Sequence, residues 1–159
     1  MSLFRDVRGV ATIEFAFASL FLFATISVAL DFGFNIQQRL KLGHAVEQAA
    51  ILAFNQQTGS NTSTISNFVK AAAGTRNTPT VTITCNGTSS CGDGKCSCIN
   101  SSTGAFTLAA ACNTTCAGSS AISGNYMKIS ASATYNAVIV PDQYLNGGTM
   151  TSNAVVRLQ

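Results

Sequence analysis

The stretch VATIEFAFASLFLFATISVAL, residues Val10 to Leu30, decides how this chain is organised. Its 21 residues carry a single ionisable side chain, the carboxylate of Glu14. At a rise of about 1.5 Å per residue, a helix of this length is roughly 31 Å long, close to the thickness of a bilayer's hydrocarbon core. We therefore predict one membrane-spanning helix over residues 10–30. A carboxylate costs about 2 to 3 kcal/mol near the bilayer centre and less near an end, which makes Glu14 a candidate functional residue. The alternative is that Glu14 snorkels to the headgroups from near the helix end.

The composition indicates one modest domain beyond the span and argues against several functions. Of the 159 residues only 9% are charged, and the net charge is +3. The chain has no run of Lys or Arg interleaved with aromatic residues, so we expect no nucleic-acid partner. It also lacks a nucleophile motif, a phosphate loop and a carboxylate pair, so we expect a structural protein without cofactor or metal, not an enzyme. The acids beyond the span are few and scattered: Asp31, Glu47, Asp93 and Asp142.

Six cysteines fall in one loop, residues 85–116, which is otherwise rich in Gly, Ser, Thr and Asn. An even number of cysteines in such a loop predicts disulfides and an oxidising compartment. Zinc is the alternative for CGDGKCSC, residues 91–98, although no second ordered cysteine pair accompanies it. The pairing stays open, but Cys96 and Cys98 are too close for easy mutual bonding, so each is expected to reach a different partner. The six are Cys85, Cys91, Cys96, Cys98, Cys112 and Cys116.

The cysteines also predict the orientation of the span. Arg5 and Arg8 precede the apolar run, whereas Arg39 and Lys41 follow it closely, so the positive-inside rule does not decide. Oxidised cysteines place residues 31–159 outside the cytoplasm and the N-terminus inside it.

The helical period continues after the span. Apolar residues recur at steps of three and four, which predicts one helix over residues 10–56 with an amphipathic outer half. A second, shorter helix is expected to be capped by Ser or Thr at residues 62–64 and to stop at Gly74. The stripe of the first helix is expected to pack in the core, with a partner-binding face as the alternative. Its residues are Ile36, Leu40, Gly43, Val46, Ala50 and Phe54, and the apolar residues of the second helix are Ile65, Phe68, Val69 and Ala72.

The period changes to two beyond Asn77, which predicts strands. Turn signals at Pro141, Asp142 and Gly147–Gly148 separate the last two strands. The predicted fold is therefore α+β: a long helix, a short helix and a small antiparallel sheet with a cysteine-rich loop, its apolar face covered by the first helix. The alternating residues are Val81, Ile83 and Cys85, then Met127, Ile129, Ala131, Ala133 and Tyr135, and finally Ala154, Val156 and Leu158.

A short charged leader ending in Gly9, followed by an apolar helix that carries Glu14 and Phe15, resembles the processing site of type IV pilin-like proteins. The closest likeness is to the TadE-like pseudopilins of tight-adherence (Flp-type) pilus systems. The resemblance extends through QQRLKLGHAVEQAA, residues 37–50, and the closing SNAVVRLQ, residues 152–159, is similar to the family's last strand.

The resemblance implies a pilin-like protein of the bacterial inner membrane, with residues 31–159 in the periplasm. A prepilin peptidase would remove residues 1–9 by cutting between Gly9 and Val10. The other implied partners are pilin-like subunits, the inner-membrane assembly platform and the lipid bilayer, and the implied role is that of a minor pseudopilin in pilus assembly.

The chemistry of this motif follows from its residues. Cleavage creates an α-amino group on Val10 that is largely cationic at neutral pH. Val10 and Glu14 lie one helical turn apart, so the carboxylate of one protomer can meet the amine of an axially shifted neighbour. A buried ion pair of this kind specifies register. Gly9 is expected to leave the backbone extended and accessible to the peptidase.

A secreted, disulfide-rich binding module is the alternative interpretation. In that case residues 1–29 form a signal peptide cut after Ser27-Val28-Ala29, with Arg5 and Arg8 as its charged start. The length of the apolar run and the presence of Glu14 argue against it. The mature N-terminus separates the two hypotheses, since it is Val10 in a pilin-like protein and Leu30 in a secreted module.

Overall fold

The computed structural model describes residues 7–56, 61–88, 91, 94–100, 102–109 and 111–158. Most of the predicted leader, residues 1–6, lies outside the described residues, as does Asp93. The fold is α+β, as predicted, with a long helix, a short helix, two small antiparallel sheets and three disulfides.

The first helix, α1, runs without interruption from Val7 to Gln56. Its 50 residues correspond to a length of about 75 Å. By length and composition it can cross a membrane, and the apolar 18-residue segment that meets this requirement has no residue buried inside the protein. The prediction of one continuous helix through residues 10–56 is thus confirmed, and α1 begins three residues earlier.

The second helix, α2, covers Thr62–Ala73 and is capped at both ends. The side chain of Asn61 accepts a hydrogen bond from the N–H of Ser63 at 3.0 Å, so the N-cap is Asn61 and not one of the Ser or Thr residues at 62–64. Gly74 ends the helix in the left-handed conformation at a φ of 51°. The buried face of α2 consists of Ile65, Val69 and Ala73, whereas the predicted Ala72 is exposed.

Three strands form the main sheet: β1 (Thr80–Cys85), β4 (Tyr126–Thr134) and β5 (Thr149–Arg157). They pair antiparallel in the order β1-β4-β5. A short 3-10 helix over Asp142–Gly148 connects β4 to β5 where turn signals were predicted. Two further strands, β2 (Ser97–Ile99) and β3 (Phe106–Leu108), pair within the cysteine-rich loop, where the sequence predicted no strand.

The core lies between the sheet on one side and the two helices on the other. Strand β4 buries alternate residues, as its period of two predicted. On α1 the residues that face the sheet and α2 are mostly alanines, which allow the helix to approach closely. The buried core includes Leu42, Ala45, Val46, Ala49 and Ala53 of α1, Ile65, Val69 and Ala73 of α2, and Met127, Ile129, Ala131, Ala133 and Met150 of the sheet.

The predicted core stripe of α1 is wrong in its orientation. Ile36, Leu40 and Phe54 are 56%, 58% and 54% exposed, and Val46 alone of the predicted set is fully buried. Both faces of this helix segment carry apolar residues, so periodicity did not distinguish them. The face with three alanines is the one that packs in the core, because its smaller side chains fit beneath the sheet. We call the exposed set, Ile36, Leu40, Ile51 and Phe54, the outer stripe.

Candidate assembly segment and head-domain junction

The predicted cleavage site lies inside the first turns of α1. The backbone at Gly9 is helical and not extended, which corrects the expectation from the sequence. A Cβ added at Gly9 would meet nothing within 4 Å, and Val10 is 55% exposed. A protease that needs an extended substrate must therefore unwind this turn, and glycine makes unwinding easier because it favours the helix least among non-proline residues.

Glu14 and Phe15 both lie on the exposed surface of α1. Phe15 is 74% exposed, and the neighbouring large apolar residues of the span are similarly uncovered within one chain. Val10 and Glu14 lie one helical turn apart on the same side of α1, as the sequence predicted.

The outer stripe continues the face of α1 that carries Glu14. Ile36 follows Glu14 by 22 residues, which is about six turns of an α-helix. Gly43 lies between Leu40 and Ile51 on the same side, and a Cβ there would meet nothing within 4 Å. One long surface thus combines the acid, the apolar side chains and a glycine, away from the side that the sheet covers.

No sequence pattern indicated a role for Asp31, the residue directly after the predicted span. The residue is 3% exposed, and its carboxylate accepts hydrogen bonds from three consecutive backbone N–H groups of the loop that follows β4. The N–H groups of Val138, Ile139 and Val140 lie 3.2, 2.7 and 3.1 Å from its Oδ2. The hydroxyl of Tyr135 donates to the Asp31 backbone oxygen at 3.1 Å. Consecutive amides form a concave anion site, filled here by the chain's own carboxylate.

This arrangement favours the ionised form of Asp31. The N–H groups of Ile139 and Val140 hold the pKa of the Asp31 carboxyl below its usual value, against the opposing effect of burial, with further help from Val138 and Tyr135. Burial raises the pKa of the Tyr135 hydroxyl, and the negative charge of Asp31 adds to this effect. The junction between the span and the sheet domain is therefore a charge-assisted hydrogen-bond cluster.

A cleft of about 290 Å³ opens beside this junction. It begins at Ser27 and Leu30 within the predicted span and reaches Gln38, so it crosses the level at which the apolar run ends. The exposed side chain of Arg76 lines it, together with Phe34 of α1. The remaining lining residues are Asp31, Tyr135, Asn136, Val138 and Ile139.

All six cysteines are oxidised in the structure, in three disulfides. Cys96 and Cys98 bond different partners, as expected, and no thiol remains to bind zinc through CGDGKCSC. The disulfides tie the loop to the end of β1 and close it on itself around the β2–β3 hairpin. The pairs are Cys85–Cys91, Cys96–Cys112 and Cys98–Cys116.

A tight turn begins the cysteine-rich loop. The N–H and C=O groups of Cys85 both bond to Thr88, and the two residues between them, Asn86 and Gly87, have φ values of 54° and 82°. Asn-Gly is a strong signal for this two-residue turn, and it could have been read from the sequence. A Cβ at Gly87 would lie 3.1 Å from the Cβ of Phe106, so this glycine also allows a close approach.

The buried side chain of Asn86 connects the loop to the main sheet. Its amide nitrogen donates to the backbone oxygen of Lys95 at 2.7 Å and to Oδ1 of Asn125 at 3.1 Å. Its own Oδ1 accepts from the N–H of Tyr126 at 2.9 Å, and its backbone oxygen accepts from the hydroxyl of Ser97. The loop is therefore fastened to the end of the sheet that lies farthest from Asp31.

Comparison with known proteins supports the resemblance of the N-terminal segment. The family model described as TadE-like protein matches residues 9–50. This match confirms the predicted likeness to TadE-like proteins over the part of the chain that holds Gly9, Val10, Glu14 and Phe15. Residues 51–159, with the sheet and the cysteines, lie outside the match. No match to the chain was found among curated proteins or among solved structures.

Proposed function

We propose that this chain, which is similar to TadE-like proteins over residues 9–50, is a minor pseudopilin of a Tad (Flp-type) pilus system. Its role is structural, in pilus assembly. Residues 10–30 hold it in the bacterial inner membrane, and residues 31–159 form the periplasmic domain. A prepilin peptidase removes residues 1–9, after which the protein associates with other pilin-like subunits and the inner-membrane assembly platform.

One observation carries the proposal: the surface of α1 from Glu14 to Phe54 is left uncovered by the chain's own sheet. Large apolar residues that remain exposed in a row mark a surface for association. In the span this surface holds Glu14, and beyond the span it holds the outer stripe. Helices of neighbouring subunits that pack along it would bury both the apolar stripe and the carboxylate.

The cationic N-terminus that follows cleavage explains why an acid is tolerated on this surface. The Val10 amine of one subunit is a partner for the Glu14 carboxylate of the next. Such a pair can form only at one axial offset between the two helices, so it selects the register of assembly.

N-terminal sequencing of the protein purified from its native membrane tests the proposal. We expect Val10 as the first residue. A mature chain that starts at Leu30 would instead establish a secreted module with a signal peptide over residues 1–29.

Gly9→Ala tests the peptidase step. A Cβ at Gly9 meets open space and alanine favours the helix by about 0.5 to 1 kcal/mol, so we expect an inserted but uncleaved protein, detected by mass spectrometry. Gly33→Ala is the matched control, since Gly33 lies in the same helix and also faces open space. Loss of residues 1–9 in Gly9→Ala at the parental rate would contradict the predicted site.

A further inference from the structure

Two apolar side chains project from the loop beside Asp31. Val138 is 80% exposed and Ile139 is 54% exposed, although the backbone that carries them is held by hydrogen bonds. We call these two residues the tip. Neither the sheet core nor the outer stripe of α1 includes the tip.

The tip lies at the level where the predicted span ends. Asp31 follows Leu30 directly, and its carboxylate bonds to the N–H groups of both tip residues. The outward side chains of the tip are therefore next to the end of the 10–30 segment. If that segment spans a bilayer, the tip lies in the interfacial region between lipid headgroups and hydrocarbon.

The hydrogen bonds to Asp31 also lower the cost of placing the tip there. A backbone N–H without a partner is costly to move out of water into an apolar environment. The amides of Val138, Ile139 and Val140 all donate to one carboxylate, so they do not need water as a partner. The loop can thus present two β-branched side chains to the membrane while its amides stay satisfied.

The cleft beside the tip has both apolar and charged walls, which matches a membrane interface where hydrocarbon meets headgroups. Leu30 and Phe34 supply apolar walls, and the exposed guanidinium-bearing side chain of Arg76 lies on the same cleft. A phospholipid offers partners for both parts of this cleft: acyl carbons for Leu30 and Phe34, and a phosphate for Arg76.

We propose that the tip and the Arg76 cleft form a lipid-docking surface that seats the sheet domain on the headgroup region of the bilayer beside its own span. The inference rests on the proposed function, because it requires residues 10–30 to be in the membrane. The docked sheet domain would keep α1 at a constant height in the bilayer, and it would thereby fix the depth of Glu14.

Tryptophan fluorescence tests this surface, since the chain contains no tryptophan. The full chain is placed in bilayers of phosphatidylethanolamine and phosphatidylglycerol that contain nitroxide-labelled lipids. Ile139→Trp reports on the tip, and Leu108→Trp in β3 is the matched control, because both parent residues are 54% exposed. Phe21→Trp reports separately on the span.

We expect lipid nitroxides to quench Ile139→Trp and Phe21→Trp but not Leu108→Trp. Val138→Trp provides a second tip reporter if Ile139→Trp folds poorly. Quenching of Phe21→Trp without quenching at either tip reporter overturns the lipid-docking surface and leaves the proposed function intact. Loss of quenching at Phe21→Trp contradicts both. A tip that is shielded from aqueous quenchers but not reached by lipid nitroxides is covered by protein, which also overturns the inference.

Arg76→Gln tests the charged part of the surface in the Ile139→Trp background. Quenching at the tip is expected to fall, most clearly in bilayers with phosphatidylglycerol, because the attraction to anionic lipid is lost. Lys41→Gln is the control, since Lys41 lies ten residues beyond Asp31 on α1, or about 15 Å farther from the span. Equal quenching in Arg76→Gln and Lys41→Gln would remove Arg76 from the surface.

Discussion

At the scale of single residues, Glu14 is the side chain that the proposed function links most directly to neighbouring subunits. It lies exposed on α1, one turn from the predicted new N-terminus at Val10. In an isolated subunit its charge is a cost to membrane insertion, whereas the proposed assembly would give it a cationic partner. A change that removes only the charge therefore separates insertion from assembly.

Glu14→Gln is expected to insert and to be processed at least as well as the parent protein. Assembly should fall sharply, because the Val10 amine of a neighbour then loses its partner, at a cost of about 2 to 5 kcal/mol where the pair is well buried. Crosslinking to pilin-like partners measures the effect. Glu47→Gln is the control, since Glu47 is exposed and lies well outside the span. Unchanged crosslinking in Glu14→Gln would identify Glu14 as a tolerated acid without an assembly role.

Asp31 is the residue on which the junction of span and sheet domain depends. Asp31→Asn replaces an acceptor of three N–H groups by a neutral amide, so the backbone amides of Val138, Ile139 and Val140 should exchange faster with deuterated solvent. Amides in the middle of β4 should be unaffected. Equal protection of the loop amides in parent and variant would show that the carboxylate does not hold the loop.

The pKa of Asp31 predicts how this junction responds to acid. Because the folded-state pKa is lowered, the carboxylate stabilises the fold fully above the unfolded value, near 3.9, and this contribution disappears as the pH falls through the folded pKa. Melting temperatures should therefore fall more between neutral and acidic pH for the parent than for Asp31→Asn. Parallel pH profiles for the two proteins would contradict the assignment.

At the scale of elements, α1 carries apolar residues on two faces with different roles. Leu42 is 1% exposed and packs in the core, whereas Leu40, two residues earlier, is 58% exposed on the outer stripe. The sequence period assigned the core to the stripe that contains Leu40, whereas the structure buries Leu42 instead. The distinction is therefore best tested by the same substitution at both positions.

Leu42→Ala is expected to lower the free energy of unfolding by about 2 to 5 kcal/mol, since it leaves a cavity in the core. Leu40→Ala should change it by less than about 0.5 kcal/mol but should weaken association with pilin-like partners. Chemical denaturation and crosslinking measure the two quantities. Strong destabilisation by Leu40→Ala, or undiminished association, would contradict the role of the outer stripe.

At the scale of the whole molecule, the disulfide loop and the span lie at opposite ends of the sheet domain. Strand β4 runs from Tyr126, beside the loop anchor Asn86, toward Tyr135, beside Asp31. Its nine residues correspond to about 30 Å. Seated on a membrane, the domain would hold the cysteine-rich loop as its most distant part.

The orientation of the whole chain is tested by the oxidation state of its cysteines. In the native membrane we expect thiol reagents to modify none of the six residues until a reductant is added, because the proposed orientation places the loop in an oxidising compartment. Added protease should remove the sheet domain from spheroplasts while the N-terminal part of the span stays protected. Labelling of most cysteines without reductant would overturn both the disulfides and the orientation.

Local patterns in the sequence determined the two helices and the three strands of the main sheet. The apolar run with its single acid, the period of two in β4 and the glycine after α2 each depend on neighbours along the chain, so the helix, the strand and the helix end were predictable. The motif of Gly9 and Glu14 has the same local character. The Asn-Gly turn at residues 86–87 was equally local, although it was not recognised.

Only the tertiary structure decided which face of α1 is buried, which cysteines pair and what Asp31 does. Two apolar faces on one helix look equivalent in the sequence. The sheet packs against the face with smaller side chains, so Ala45 and Ala49 are buried and Leu40 is exposed. The partners of Asp31 lie more than 100 residues away in the chain. A carboxylate and three distant amides leave no joint pattern in the sequence, because only the packing of the β4–β5 connection against α1 brings them together.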